Sequence, residues 1–274
     1  MLNPLSKSKH DIALCLGDRH ELLLFCHSAL YAQIPIAHIH GGETTLGSFD
    51  DRVRNAVSQL ADLHFTAAEP FSQKLRSMSV PGRVLTAGPP GLDELEVSDR
   101  SEFGEGYFLV CLHPDTTRDE QYNEAMSSAL KVALHRFPDK RAVIVGPNND
   151  PGGREIAANL RECAESRAPR YDYFDSLDRR RYLTALKHAS VCIGNSSSFV
   201  IEAPALGIPT VLVGDRQRGR PLARSVSEIE PSADRIAFEI GAILNSPRYA
   251  DGQALPYGSG GASKKIAETL ATWS

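Results

Sequence analysis

The sequence predicts two doubly wound α/β domains with parallel sheets, and three observations predict it. Short apolar runs alternate with longer amphipathic ones almost from end to end. A Gly- and Pro-containing stretch without a strong period, residues 88–106, interrupts that rhythm once. Polar and charged residues gather where the apolar runs stop. A βαβα rhythm implies a parallel sheet with helices on both faces, because parallel neighbours need a crossover helix.

The first series has strands at 12–16, 34–39, 64–67 and 83–87, separated by helices at 21–33, 50–61 and 70–78. The helix from Asp50 is the clearest. An Asp stands at the N-cap position, and Val53, Ala56, Val57, Leu60 and Ala61 follow at helical spacing. After the linker, strands are expected at 107–112, 142–146, 170–174, 190–193 and 210–213. Their helices fall at 118–136, 154–165, 179–188, 198–206 and 233–245, and a last helix at 262–273 is expected to cross back to the first domain. The domains are thus placed at 1–92 and 93–274. Ligands of such folds bind at the carboxyl ends of the strands, so the cleft is expected where both sheets end.

Composition narrows the function classes. The chain has 274 residues, a formal charge of −4 and 42% hydrophobic residues, enough for two domains with real cores. That balance marks neither a nucleic-acid surface nor an acidic tail. No apolar run approaches the ~20 residues that span a bilayer, and residues 1–11 hold no signal-peptide core. Five cysteines are scattered without a CxxC pair, which suits a reducing cytoplasm.

Five strand ends carry candidate chemistry. Asp18, in Gly17-Asp18-Arg19, is a carboxylate at a crevice, where its pKa is open to tuning for acid/base work; helix capping explains it equally well. His38-Ile39-His40-Gly41-Gly42-Glu43 closes the second strand, and alternation puts His38 and His40 on one face. No third His or Cys stands nearby, so a polar cluster is expected rather than a metal. Glu43, Asp50 and Asp51 place three carboxylates within nine residues, and capping does not explain Glu43. His113-Pro114 ends the first strand of the second domain, as a ligand contact or a turn residue.

The strongest signal is Gly194-Asn195-Ser196-Ser197-Ser198, running from strand to helix. Hydroxyls and free backbone N–H groups at a helix N-terminus favour an anion. Glu202 stands one turn on, placed to accept from sugar hydroxyls, and no Walker sequence occurs. Arg216, Arg218 and Arg220 follow a strand, where Arg216 and Arg220 offer a bidentate clamp for a diphosphate and Arg218 a solvated loop.

Together these motifs resemble the hydrolysing branch of the UDP-N-acetylglucosamine 2-epimerase family. The resemblance is carried by LGDRHE at 16–21, PIAHIHGGETTLGSFDD at 35–51, Arg54, Gly88-Pro89-Pro90-Gly91-Leu92-Asp93, His113-Pro114 and GNSSSFVIEAPALGIPTVLVGDRQRGR at 194–220. It implies two Rossmann-like domains of the GT-B type. It also implies conversion of UDP-N-acetylglucosamine and water to N-acetylmannosamine and UDP, by elimination across C1–C2 and then hydration. By similarity Asp18 and Glu43 are acid/base residues, supported by Asp50 or Asp51, and His113 sits beside the nucleotide. Ser196, Ser197 and Ser198 would hold the diphosphate and Glu202 the ribose; His40, Arg54, Gly194, Asn195, Arg216 and Arg220 complete the substrate set. No metal or cofactor is implied, no nucleic-acid or membrane partner, and a dimer or tetramer is expected.

Two departures stand out. Some relatives carry Glu where this chain has His40. The family also opens with a Gly-Thr-Arg loop and further βα units before the LGDR strand, which arrives here at residue 16. Two to three units are therefore expected to be missing, leaving the first domain incomplete, with an unpaired apolar edge at 12–16. A truncated product or a mis-set start is the corresponding expectation, with UDP binding retained and turnover weak. The alternatives are a UDP-2,4-diacetamido-trideoxyhexose substrate, a catalytically impaired UDP-sugar-binding module and, on fold alone, a glycosyltransferase. A non-hydrolysing epimerase fits the GDR and HGGE forms less well.

Overall fold

The structure, a computed structural model, describes residues 11–45, 50–245 and 254–273. Residues 46–49 of the HGGETTLGSFDD motif and residues 1–10 lie outside the described residues. The chain divides into two compact units. The first takes the chain up to Glu94, then Gly219–Pro221 and the chain from Tyr257; the second takes Leu95–Arg218 and Leu222–Pro256.

In the first unit β1 (Ala13–Leu16), β2 (Ile36–Ile39), β3 (Leu63–Thr66) and β4 (Arg83–Thr86) pair in parallel in that spatial order. The crossovers are α1 (Glu21–Tyr31), α2 (Asp50–Leu60) and α3 (Glu69–Ser77). Every residue of β2 and β3 is buried, as expected of strands covered on both faces. On one side Cys15 and Ile36 pack with Cys26, Ala29, Val53 and Val57 of α1 and α2. On the other, Ala37, Ile39, Leu63 and Phe65 pack with Ile266 of α9 (Ala262–Ala271). The Asp93 carboxylate anchors that helix by accepting from the backbone N–H groups of Ala262, at 2.9 Å, and Ser263. Among the described residues β1 pairs only with β2, and Leu14 and Leu16 stand 47% and 59% exposed on it.

The second unit is a six-stranded sheet. Its strands are β5 (Tyr107–Cys111), β6 (Ala142–Val145), β7 (Tyr171–Phe174), β8 (Ala189–Gly194), β9 (Thr210–Val213) and β10 (Val226–Ile229), in the order β10-β9-β8-β5-β6-β7. All pairs are parallel. The helices are α4 (Glu120–His135), α5 (Gly153–Glu165), α6 (Arg179–Lys187), α7 (Ser198–Ala205) and α8 (Ala233–Asn245). Asp119 and Asp178 cap α4 and α6, their carboxylates accepting from Tyr122 N at 2.8 Å and Arg181 N at 3.0 Å. Helix α4 therefore opens two residues later than its periodicity suggests. The sequence reading also lacks β10: buried Val226 and Ile229 flank the more exposed Ser227 and Glu228, so its four positions show neither an apolar run nor an alternation.

Strand order reverses between β5 and β8, because β6 and β7 wind to one side and β9 and β10 to the other. Such a switch point opens a crevice beyond the strand ends, and His113 and the Gly194–Ser198 run follow those two strands. Gly194 sits at φ +141°, in register with Cys111, and a Cβ there would lie 2.0 Å from the Cys111 carbonyl oxygen. No side chain fits that approach. Among the described residues no helix is long and apolar enough to cross a membrane. Gly194→Ala is expected to lower the unfolding free energy by at least about 2 kcal/mol, read from urea denaturation.

Candidate active site

In the first unit the polar groups gather beyond the carboxyl ends of β1 and β2. Gly17 turns the chain out of β1 at φ +83°, with its N–H held by the Ile39 carbonyl at 2.9 Å. Asp18 follows, and its carboxylate accepts from Arg54 Nη2 of α2. The Arg54 guanidinium is 3% exposed. Its Nη1 also donates to the Asp51 carboxylate and, at 2.9 Å, to the Glu43 carbonyl. Asp51 accepts in addition from the Thr45 N–H at 2.9 Å. One buried cation thus collects the loop after β1, the loop after β2 and the first turn of α2. Asp50 is the first helical residue of α2 rather than its cap.

The Glu43 carboxylate is buried, at 3% side-chain exposure. Burial pushes its pKa up, but the Arg220 guanidinium paired to Oε2, the hydrogen bond from His40 Nδ1 and nearby Arg54 outweigh it. The net value is about 2, so the group is ionised near neutrality. His40 holds a left-handed backbone at φ +66°, unusual outside glycine. Strand alternation therefore ends at Ile39, and the two histidines serve different partners: His40 bonds Glu43, whereas His38 is buried and bonds Gly17 and Ser58. Two neighbours escape the sequence reading. Lys74 of α3 donates to the Glu43 carbonyl at 3.0 Å and to Thr44 Oγ1 at 2.9 Å. Tyr257, 4% exposed, belongs to the same unit, and its hydroxyl is influenced by Arg220 and Glu43. An aromatic residue between Pro256 and Gly258 is the signal that marks it.

In the second unit Asn195 ties the ends of β5 and β8 together. Its side chain accepts from the His113 N–H at 2.7 Å and donates to the His113 carbonyl at 2.8 Å, while its own carbonyl accepts from Gln217 at 2.9 Å and Arg216 at 3.4 Å. Its amide is therefore structural in this geometry. His113 Nδ1 accepts the Asn148 N–H at 3.0 Å, and burial together with Arg216 lowers its pKa to about 3. Ser196 and Ser198 share a hydrogen bond of 2.9 Å at the start of α7, and the Tyr182 hydroxyl also bonds Ser198. Ser197 stands at the N-cap position without a side-chain cap bond, and Glu202 lies on the same helix, partly buried. Beyond β6, Gly146–Gly153 with Tyr173 and Asp175 line a cavity of about 600 Å³. The Asn148-Asn149-Asp150 run is a strand-end polar cluster like those singled out above, and the same criterion finds it. Arg216 belongs to the second unit and Arg220 to the first, where it pairs with Glu43. Arg218 is solvated and pairs with Asp215 at 2.6 Å.

Two outcomes follow. Replacing Arg54 with Met strands the partly buried carboxylates of Asp18 and Asp51 and is expected to cost roughly 3 kcal/mol, seen in denaturant midpoints. His38, its pKa lowered to about 4 by burial, and His113 are neutral when folded and take up a proton when unfolded. Their contribution is complete above the ordinary histidine value of 6.5 and lost as pH falls toward about 4 and about 3. Glu43 adds a loss below its ordinary 4.5. The melting temperature is thus expected to stay level just above neutrality and to fall steadily below pH 6.5.

The sequence profile of the UDP-N-acetylglucosamine 2-epimerase family matches residues 2–271. The chain is 31% identical to the UDP-N,N'-diacetylbacillosamine 2-epimerase (hydrolyzing) of Legionella pneumophila, over 96% of this chain and 71% of that protein. It is 30% identical to the polysialic acid biosynthesis protein P7 of Escherichia coli, over 82% of this chain and 60% of that one. Against the GDP/UDP-N,N'-diacetylbacillosamine 2-epimerase (hydrolyzing) of Campylobacter jejuni the identity is 29%, over 84% of this chain and 63% of that one. The chain thus spans about three fifths of the length of the latter two relatives. Among solved structures, UDP-GlcNAc 2-epimerase from Neisseria meningitidis bound to UDP-GlcNAc shares the fold, with a TM-score of 0.81, 20% identity and coverage of 98% of this chain and 78% of that one. Parallel sheets, strand-end chemistry and a profile match over nearly the whole sequence agree, and the chain belongs to the UDP-N-acetylglucosamine 2-epimerase family.

Proposed function

We propose that the chain carries the chemistry of a hydrolysing 2-epimerase acting on a UDP-linked 2-acetamido sugar, UDP-N-acetylglucosamine in the first instance. The observation that carries the reading is the carboxylate cluster beyond β1 and β2, where Glu43 is kept ionised by Arg220 and His40 and Asp18 is held by Arg54. Elimination needs a base to take the C2 proton while the C1–O bond to UDP breaks, leaving a 2-acetamidoglycal. Hydration then adds water at C1 and a proton at C2 from the opposite face, giving N-acetylmannosamine. Asp18 and Glu43 supply these transfers, with Asp50 and Asp51 as supports. In the second unit, the α7 N-terminus with Ser196, Ser197 and Ser198 suits the diphosphate. The cavity of about 600 Å³ beside His113 has the size of a ligand pocket and suits the nucleoside. Neither part calls for a metal or cofactor.

A second reading has its own support, because the Legionella and Campylobacter relatives are named for UDP-N,N'-diacetylbacillosamine. Incubation with each UDP-sugar, followed by proton NMR, separates them: free 2-epimeric sugar and UDP are expected together, faster from the true substrate. A UDP-linked epimer would overturn the hydrolytic step. UDP binding without turnover of either would leave the chain a binding role alone. Asp18→Asn and Glu43→Gln are each expected to reduce turnover about 10²- to 10⁴-fold, with UDP affinity changed less than about threefold on titration calorimetry.

A further inference from the structure

His38 is an ionisable residue of β2 that the proposed chemistry does not use. It is fully buried, in register with Cys15 of β1 and His64 of β3. Nε2 lies 2.8 Å from the Gly17 carbonyl oxygen and Nδ1 lies 3.1 Å from Ser58 Oγ on α2. A carbonyl only accepts, so Nε2 carries the proton. The ring is neutral near pH 7, because burial depresses its pKa to about 4, so Nδ1 is a bare acceptor and the Ser58 hydroxyl donates to it. Gly41 completes the fit: a Cβ there would stand 3.0 Å from both Nδ1 and Ser58 Oγ.

The ring therefore spans two elements that must stay in register. One is the turn at Gly17, whose N–H is already held by the Ile39 carbonyl, so residues 38 and 39 grip the peptide groups on either side of the Gly17 α-carbon. The other is α2, which carries Arg54 one turn and Asp51 two turns before Ser58. Arg54 closes the loop by donating to Asp18, the residue after Gly17. An apolar side chain of equal volume would fill the site and leave the Gly17 carbonyl without its donor.

We infer that His38 is a positioning residue: as the neutral Nε2–H tautomer it ties the Gly17 carbonyl to α2 and so sets where the Asp18 carboxylate stands against Arg54. Its catalytic consequence rests on the function proposed above; its structural content does not. Three replacements separate donor from volume. Gln carries an amide N–H at the reach of ring Nε2, Asn only at the reach of Nδ1, and Leu carries neither.

The experiment has two readouts on the same variants. Nitrogen-15 spectra of the wild-type imidazole at pH 7 are expected to show Nε2 protonated and Nδ1 bare; the opposite tautomer, or a cationic ring, overturns the assignment. Exchange of the Arg54 guanidinium protons is expected to be at least about tenfold faster in His38→Asn and His38→Leu and to return to within about threefold of wild type in His38→Gln. Equal exchange in all variants would reduce His38 to filler. Ser58→Ala, which keeps the Gly17 donor, is expected to change exchange in the same direction by a smaller factor, and serves if the His38 variants fail to fold. For turnover, His38→Asn is expected to lower kcat at least about tenfold at unchanged KM, with recovery in His38→Gln. Wild-type protein that turns over no UDP-sugar while the spectral and exchange results hold would count against the proposed function and leave the positioning role standing.

Discussion

A buried guanidinium governs the first unit. Arg54 is almost wholly removed from water, and desolvating a cation costs several kcal/mol unless its donors are met. The partners that meet them come from three places in the chain: Asp18 after β1, the Glu43 carbonyl after β2, and Asp51 on the same helix. Neither loop has a regular ladder to define it, so the requirement to satisfy Arg54 stands in for secondary structure there. That is why the carboxylates arrive at a defined place although they lie on turns.

In the second unit the corresponding role falls to a neutral group. Asn195 makes a reciprocal pair with the His113 backbone, and its own carbonyl takes Gln217. The pair sits where the strand order reverses, between the ends of β5 and β8. An amide suits this task better than a charge, since it satisfies a donor and an acceptor at once without a desolvated ion. Gly194 permits it, because the backbone approach to Cys111 leaves no room for a side chain.

Much of this was legible in the sequence, for reasons that particular residues explain. The parallel strands could be read because β2, β3, β5 and β6 are buried on both faces and so stay apolar but for His38, His64 and Thr66. Asp18, Glu43, His113 and the serines could be singled out because each follows such a run. What escaped depends on contacts distant along the chain. Arg220 meets Glu43 177 positions away, and nothing local to either residue announces it. Tyr257 and Lys74 reach the same cluster from a turn and a helix with no strand end to mark them. The left-handed backbone at His40 is another such case: it breaks an alternation that the letters His-Ile-His suggest.

The ionisable groups of the first unit divide by partner rather than by depth. Glu43 and His38 are both enclosed, yet burial leaves one charged and the other neutral. Glu43 faces a guanidinium and an imidazole, and their attraction exceeds the cost of desolvation. His38 faces a carbonyl and a hydroxyl, which satisfy a neutral ring and offer nothing to stabilise a second proton. Near neutral pH Glu43 is therefore an anion, and His38 is a neutral ring whose one proton is committed to the Gly17 carbonyl. The acid/base chemistry and rigid support proposed for these two groups require that separation, and the choice of neighbours supplies it without any change in burial.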